Sequence, residues 1–251
     1  MADIYRKVMN IFKNRLYAKQ VRREFDKNSE LKNLYFIFKK HPEAKWIIGK
    51  DDALILYKLI KKFNPKSVLD LGTGIGASTA VIALALESGG RITTVEQFEK
   101  CVKIAKELIP ETLKGKISFV HREPHAFKND KISKYLYFSG YKNLPIQFAP
   151  FDFVVIDGPG AWLEDGKLMT LPNGDIVNLL PYLNAGAQIY IDGRKKNVDL
   201  YKRFLSRYLK FLEQIGHNAI FERTDKPLKN LSELEILDTK LIGRSQSGYF
   251  S

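Results

Sequence analysis

The sequence predicts an α/β fold in which a mostly parallel sheet carries helices on both faces. Three observations predict it. Residues 68–78, Val-Leu-Asp-Leu-Gly-Thr-Gly-Ile-Gly-Ala-Ser, run a buried strand into a glycine turn and on into a helix. Further short apolar runs then alternate with segments of helical period, the pattern of strand–helix–strand units. Acidic residues stand at or just past the carboxyl ends of those runs, where open parallel sheets bind ligands.

The elements follow in chain order. Ile4, Tyr5, Val8, Met9, Ile11, Phe12 and Leu16 fall at helical spacing with basic residues between them. Asp51 to Phe63 reads as a helix with acidic residues at its start and Asn64-Pro65 at its end. Val68, Leu69 and Leu71 form the first covered strand. Ser78 to Leu86 carries an apolar helical face, and Arg91 to Glu96 is the second strand. Phe98 to Leu108 is a helix stopped by Pro110, and Ile117 to Val120 is the third strand. Phe151 to Ile156 is the fourth, running into Asp157-Gly-Pro-Gly160. Ile176 to Leu183 reads as a helix closed by Asn184-Ala-Gly186, and Gln188 to Ile191 as the fifth strand, ending in Asp192-Gly193. Val198 to Ile215 reads as one long helix stopped at Gly216. Asn218 to Arg223 and Leu234 to Ile242 read as a closing strand pair turned around Pro227.

Composition bounds the function. With 45% hydrophobic and 12% aromatic residues the chain can bury a substantial core. It has no apolar run long enough to span a membrane, and Met1 to Asn10 lacks a signal-peptide pattern. The single cysteine, Cys101, cannot form an internal disulfide, and a cytoplasmic setting is expected. The net charge of +13 is uneven. Residues 1–66 hold 17 Lys/Arg against 7 Asp/Glu, or +10; the rest hold 24 against 21, or +3. We therefore expect a basic helical cap over residues 1–44 and a cofactor domain over 45–251. The basic helix suits an anionic partner, RNA or an acidic surface, or a cap docked with its charged face in water.

The glycine turn carries the chemistry. Gly72, Gly74 and Gly76 allow a sharp turn and a close ligand approach, and the helix that follows offers its N-terminus to a polar group. Gly72-Thr-Gly74-Ile-Gly76-Ala77 also fits the loose dinucleotide fingerprint. Glu96, at the end of the next strand, suits ribose hydroxyls in either kind of cofactor. Asp70, two residues before the first glycine, and the lack of a second mononucleotide half favour S-adenosylmethionine. Asp70, Glu96, Glu123, Asp157 and Asp192 all fall on the same rim of the predicted sheet.

These residues resemble the class I methyltransferases, and most closely the catechol O-methyltransferase-like branch. Gly72, Gly76 and Ser78 match that branch's G-x-x-x-G-x-S turn, and Ile47-Ile48-Gly49 its apolar-glycine pair upstream. The resemblance covers roughly Trp46 to Arg194. It implies a Rossmann-like fold with seven strands and an antiparallel pair at the end. It also implies that Ile48 and Gly49 line the methionine end of S-adenosylmethionine, that Gly72 and Ser78 flank its carboxylate and amine with Gly74 in the same cofactor-binding turn, that Glu96 holds the ribose hydroxyls with Gln97 beside it, and that Glu123 and Pro124 lie at the adenine. In that branch two aspartates bind magnesium beside an asparagine, and a lysine acts as base. Asp157 and Asp192 match the aspartates, but Gly193 stands where the asparagine would be and Gly160 where the lysine would be. Either Asp157 and Asp192 together hold a divalent ion, with waters or the acceptor completing its octahedron, or one of them is directly the base. Arg194, Lys195 and Lys196 suit an acidic acceptor or a solvated helix start.

An O-methyltransferase acting on a small-molecule or sugar-containing acceptor follows from this reading. An RNA methyltransferase and a catalytically silent S-adenosylmethionine-binding subunit are the alternatives. Two long connections, 127–150 with Tyr135, Tyr137, Phe138 and Tyr141, and 158–175 with Trp162, complete the reading. The first suits base stacking or packing onto the sheet; the second lies where it can cover an acceptor.

Overall fold

The computed structural model describes residues 20–129, 133–164, 166–169 and 171–226. The basic pattern over residues 4–16 and the expected strand Leu234 to Ile242 lie outside them. Helix α1 is described over residues 20–27, followed by α2 (Ser29–Lys39), α3 (Lys50–Phe63), α4 (Ala77–Ala85), α5 (Glu99–Leu108), α6 (Glu111–Lys114), α7 (Asp175–Leu179) and α8 (Lys195–Phe204). The main sheet is built from β1 (Ser67–Leu71), β2 (Arg91–Glu96), β3 (Ile117–His121), β6 (Phe151–Ile156), β9 (Leu183–Ile191), β10 (Leu209–Ile215) and β11 (Asn218–Arg223). Its order is β10-β11-β9-β6-β1-β2-β3, and β11 runs antiparallel to both its neighbours. The expected seven-stranded Rossmann-like sheet is therefore present.

Strand alternation divides the core into two layers. Val68, Phe153 and Val155 point into a cluster with α2, α3 and α4. Leu69, Leu71, Val154 and Ile156 point into a second cluster with α7 and α8. A period of two along central strands covered on both faces requires apolar residues on both sides, and this is why they read as continuous apolar runs. Val21 and Phe25 of α1 and Leu31, Leu34 and Phe38 of α2 join the first cluster, so residues 21–39 share a core with the sheet.

Three elements differ from the sequence reading. The helix expected over Val198 to Ile215 ends at Phe204, and residues 209–215 form edge strand β10. Its partner is β11, across the two residues Gly216 and His217, with Ile215 opposite Asn218. Gly216 has φ +63°, the conformation a two-residue hairpin turn demands at its first position. The closing strand pair is therefore 209–215 with 218–223. Helix α7 stops at Leu179, and Asn184-Ala-Gly186 lies inside β9 rather than closing a helix.

The two long connections hold hairpins of their own. The first contains β4 (Pro124–Asn129) and β5 (Ser133–Tyr141), the second β7 (Trp162–Glu164) and β8 (Lys167–Met169). Phe138 and Tyr141 are buried, so these two aromatics pack onto the sheet.

Candidate functional site

The site forms where the strand order reverses, because β2 and β3 lie on one side of β1 and β6 and β9 on the other. Such a switch opens a crevice at the carboxyl ends of the strands. Gly72 sits at that point with φ +113°. A Cβ there would stand 2.7 Å from the Gly158 nitrogen and 2.8 Å from the Asp157 carbonyl carbon, so the turns after β1 and β6 meet backbone to backbone. Gly74, at φ +52°, is the opposite case: no heavy atom lies within 4 Å of where its Cβ would be. It presents bare backbone to open space.

Glu96 fastens this turn to the start of α5. Its Oε2 accepts the Gly74 N–H at 2.7 Å, and its Oε1 accepts the Gln97 and Phe98 N–H groups, both at 2.9 Å. Burial pushes the Glu96 carboxyl up, and the three N–H groups offset only part of that. Asp70 is fully buried below the turn. Its Oδ2 accepts from Thr79 at 2.6 Å and from Thr94 at 3.1 Å, while its Oδ1 is buried without a partner. Burial raises its pKa to about 6, against the pull of those two hydroxyls.

Asp157 and Asp192 continue the rim, since their N–H groups donate to Leu71 and Ile156 at 2.9 and 3.2 Å. Burial first, and then Asp192, push the Asp157 carboxyl upward; Arg194 opposes both. The Arg194 guanidinium stands 3.5 Å from Asp157 Oδ1, donates to the Asp157 carbonyl, and reaches the Pro159 carbonyl at 3.3 Å. Burial raises the Asp192 carboxyl too, with Asp52 adding to it and His217 opposing it.

Two pockets flank the crevice. One of about 610 Å³ is lined by Gln97, Phe98, Glu123, Pro124 and Trp162. Glu123 is exposed there and pairs with Lys142 at 2.8 Å. Its four companions on the predicted rim are more sheltered. The other pocket, about 440 Å³, lies between Gly160, Leu171, Arg194, Lys195 and Lys196. Ser78 is buried in the first turn of α4. Ile48 is buried, and Gly49 opens α3 on the side of Asp52.

Sequence reasoning did not place five residues at this site. Tyr141 is buried with its hydroxyl against Gly158, and burial, together with Glu96, holds that hydroxyl well above its ordinary pKa. Asn173 donates to the Gly158 carbonyl at 2.8 Å and to Asp175 at 3.1 Å. Asp175 in turn accepts the Tyr141 N–H at 3.2 Å. Asp52 and His217 approach Asp192 from α3 and the β10–β11 turn. Contacts between residues this far apart in sequence leave no local signal. The local signals are the Gly216-His217 hairpin dipeptide and the Asn173-Gly174-Asp175 turn, where the Asp175 N–H donates to Asn173 Oδ1 at 3.0 Å.

Residues 22–158, more than half of the chain, match the sequence model of the O-methyltransferase family. The chain is similar to catechol O-methyltransferase B of Danio rerio, with 36% identity over 72 residues, 29% of this chain and 27% of that protein. It is similar to the transmembrane O-methyltransferase of Homo sapiens, with 46% identity over 62 residues, 25% of this chain and 21% of that protein. The match thus spans about a quarter of the length of these curated relatives. Among solved structures it resembles an O-methyltransferase from Bacillus cereus in complex with SAH, at a TM-score of 0.53 and 17% identity, covering 78% of this chain and 91% of that one. Among the described residues no helix is long and apolar enough to cross a membrane.

Proposed function

The chain belongs to the O-methyltransferase family, whose members are class I S-adenosylmethionine-dependent methyltransferases, and from that premise we propose that it methylates an oxygen of a small-molecule or sugar-containing acceptor. The observation that carries the reading is the Glu96 clamp on the glycine turn, beside the bare backbone of Gly74.

The residues present fit the cofactor. Asp70 Oδ1 is a buried acceptor left without a partner, and Gly74 leaves room that a side chain would fill. Gly72, Gly74 and Ser78 would hold the amino-acid end with Ile48 and Gly49, Glu96 and Gln97 the ribose, and Glu123 and Pro124 the adenine in the pocket of about 610 Å³. When bound, the cofactor supplies a methyl group on a positively charged sulfur, the electrophile of the transfer.

The magnesium set implied by the family resemblance does not fit these residues. Gly193 offers no side-chain donor, and Asp157 Oδ1 already faces a guanidinium. The acceptor's proton is then managed by the chain's own groups. Asp157, whose carboxyl is pushed upward by burial, is the base that takes it. Arg194 holds Asp157 in place and supplies positive charge beside it. The pocket of about 440 Å³ next to Arg194, Lys195 and Lys196 has a volume that suits a small acceptor carrying an acidic group. The family match lends no support to an RNA methyltransferase or a silent subunit.

Calorimetry with S-adenosylhomocysteine tests this directly. One site per chain is expected, and Glu96→Gln should weaken it about tenfold or more, the effect of losing a charge-assisted hydrogen bond. Binding of NAD in place of S-adenosylhomocysteine would sink the proposal.

A further inference from the structure

We propose that Asp52, Asp192 and His217 form a divalent-cation site, displaced from Asp157 toward α3. One donor atom from each residue lies within 4.8 Å of the other two. The imidazole Nε2 stands 3.5 Å from Asp52 Oδ2 and 3.7 Å from Asp192 Oδ1. Donors bound at about 2.1 Å to one ion stand about 3–3.4 Å apart, so a small side-chain rotation closes the set. The three residues come from separate elements: the first turn of α3, the end of β9 and the tip of the β10–β11 hairpin.

The surroundings orient these groups. Asn218 is fully buried. Its Nδ2 donates to Asp52 Oδ1 at 2.6 Å, leaving Oδ2 directed at His217. Its Oδ1 accepts the Gly193 N–H at 3.0 Å, which fixes the backbone right after Asp192. One buried amide thus sets two of the three positions, the kind of supporting contact that orients metal ligands. Gly49 contributes by being small: a Cβ there would stand 2.9 Å from Asp52 Oδ2.

The departure from the family pattern at Gly193 belongs to the same arrangement. With φ +59° and no side chain, Gly193 leaves room that the His217 ring takes; a Cβ there would lie 3.1 Å from His217 Cδ2. An imidazole from the hairpin therefore stands next to the position where the resemblance expects an asparagine. Asp52 and Asp192 are mostly sheltered, with side chains 13% and 19% exposed, so two carboxylates share a partly dry space. His217 is 62% exposed, which leaves open positions for water or a ligand oxygen. A pocket of about 440 Å³ opens over Asp52 and His217. Two carboxylates with one imidazole favour Co²⁺, Zn²⁺ or Mn²⁺ over Mg²⁺.

The site stands independently of the methyl-transfer reading, because binding can be followed without cofactor or acceptor. The probe is Co²⁺, titrated into chelator-treated full-length chain and followed by visible absorption. One saturable site per chain is expected. His217→Ala and Asp52→Asn should each weaken it at least about tenfold, while Asp157→Asn leaves it in place. Mn²⁺ broadening of the His217 imidazole resonance in the unaltered chain gives a reading that needs no variant. The proposal is overturned by absence of saturable Co²⁺ binding together with an unbroadened His217 resonance. It is equally overturned if Asp157→Asn abolishes binding that His217→Ala leaves intact, since the ion would then sit at the family's position.

Discussion

Gly72→Ala is expected to destabilise the fold by about 3–5 kcal/mol and to abolish binding of S-adenosylhomocysteine. Two separate costs add at this residue. Its φ of +113° is a conformation an alanine adopts only under strain. The new methyl would also stand 2.7 Å from the Gly158 nitrogen and 2.8 Å from the Asp157 carbonyl carbon. Both are backbone atoms of β6's exit, which Asp157 N–H holds to Leu71 at 2.9 Å. Neither can rotate away, so the turns after β1 and β6 must separate. That movement carries Asp157 with it. Gly74→Ala is the control. Its strain costs about 1–2 kcal/mol, and its methyl meets no heavy atom within 4 Å. It should leave the fold standing while it still obstructs the cofactor. Urea denaturation and calorimetry on the two variants separate packing from ligand contact. Equal loss of stability in both would show that the Gly72–Gly158 contact does not hold the crevice together.

The contrast between those glycines shows what a sequence discloses and what it hides. The run from Val68 to Ser78 is legible because each residue in it acts on its neighbours: apolar strand, turn, helix start. β2, β6 and most of β9 are legible for the same reason, being covered on both faces. That Gly72 touches Gly158 is not legible, because the two are 86 positions apart in the chain. Residues 198–215 mislead for a different reason. Val198, Tyr201 and Phe204 keep helical spacing and are buried, and Phe211, Leu212 and Ile215 continue that spacing by coincidence. As edge strand β10 they are only partly covered, so no clean period-two pattern forms to compete. The turn at Gly216-His217 is the local signal that breaks the tie.

The site divides along the same line. Glu96, Asp157 and Asp192 are readable as strand-end carboxylates. Their consequences depend on partners from elsewhere: Gly74 for Glu96, Arg194 for Asp157, Asp52 and His217 for Asp192. Asp70 shows the limit most plainly. It reads as a ligand-facing carboxylate, yet two threonines, one from α4 and one from β2, occupy its Oδ2 beneath the turn. Its Oδ1 alone is left without a partner.

Replacing Asp175 by asparagine should change stability little at pH 5 and raise it by about 3 kcal/mol at pH 8. Asp175 is fully buried, and burial raises its pKa from 3.8 to about 7, with the Asn173 amide and the Tyr141 N–H only partly offsetting this. In the unfolded chain the group ionises near pH 4; in the folded chain it keeps its proton until about pH 7. Between those values the native state binds more protons than the unfolded state, so stability falls as pH rises. The stability is fully present below about pH 4 and lost through about pH 7. The total is on the order of 4 kcal/mol. Asp70, raised to about 6, contributes a smaller loss of the same sign. Asp175→Asn removes the first of these slopes. Its carbonyl can still accept the Tyr141 N–H, but its amide opposes the Asn173 Nδ2 that donates to Asp175 Oδ2 at 3.1 Å. One hydrogen bond is lost, about 1 kcal/mol. The variant should therefore lie within about 1 kcal/mol of the parent at pH 5, where the parent has lost about 1.6 kcal/mol, and be about 3 kcal/mol more stable at pH 8. Urea unfolding at the two pH values measures both differences. If the variant differs from the parent by the same amount at each, Asp175 is not the group that loses its proton. The network it anchors ends on the Gly158 carbonyl through Asn173, so the same ionisation bears on the backbone beside Asp157.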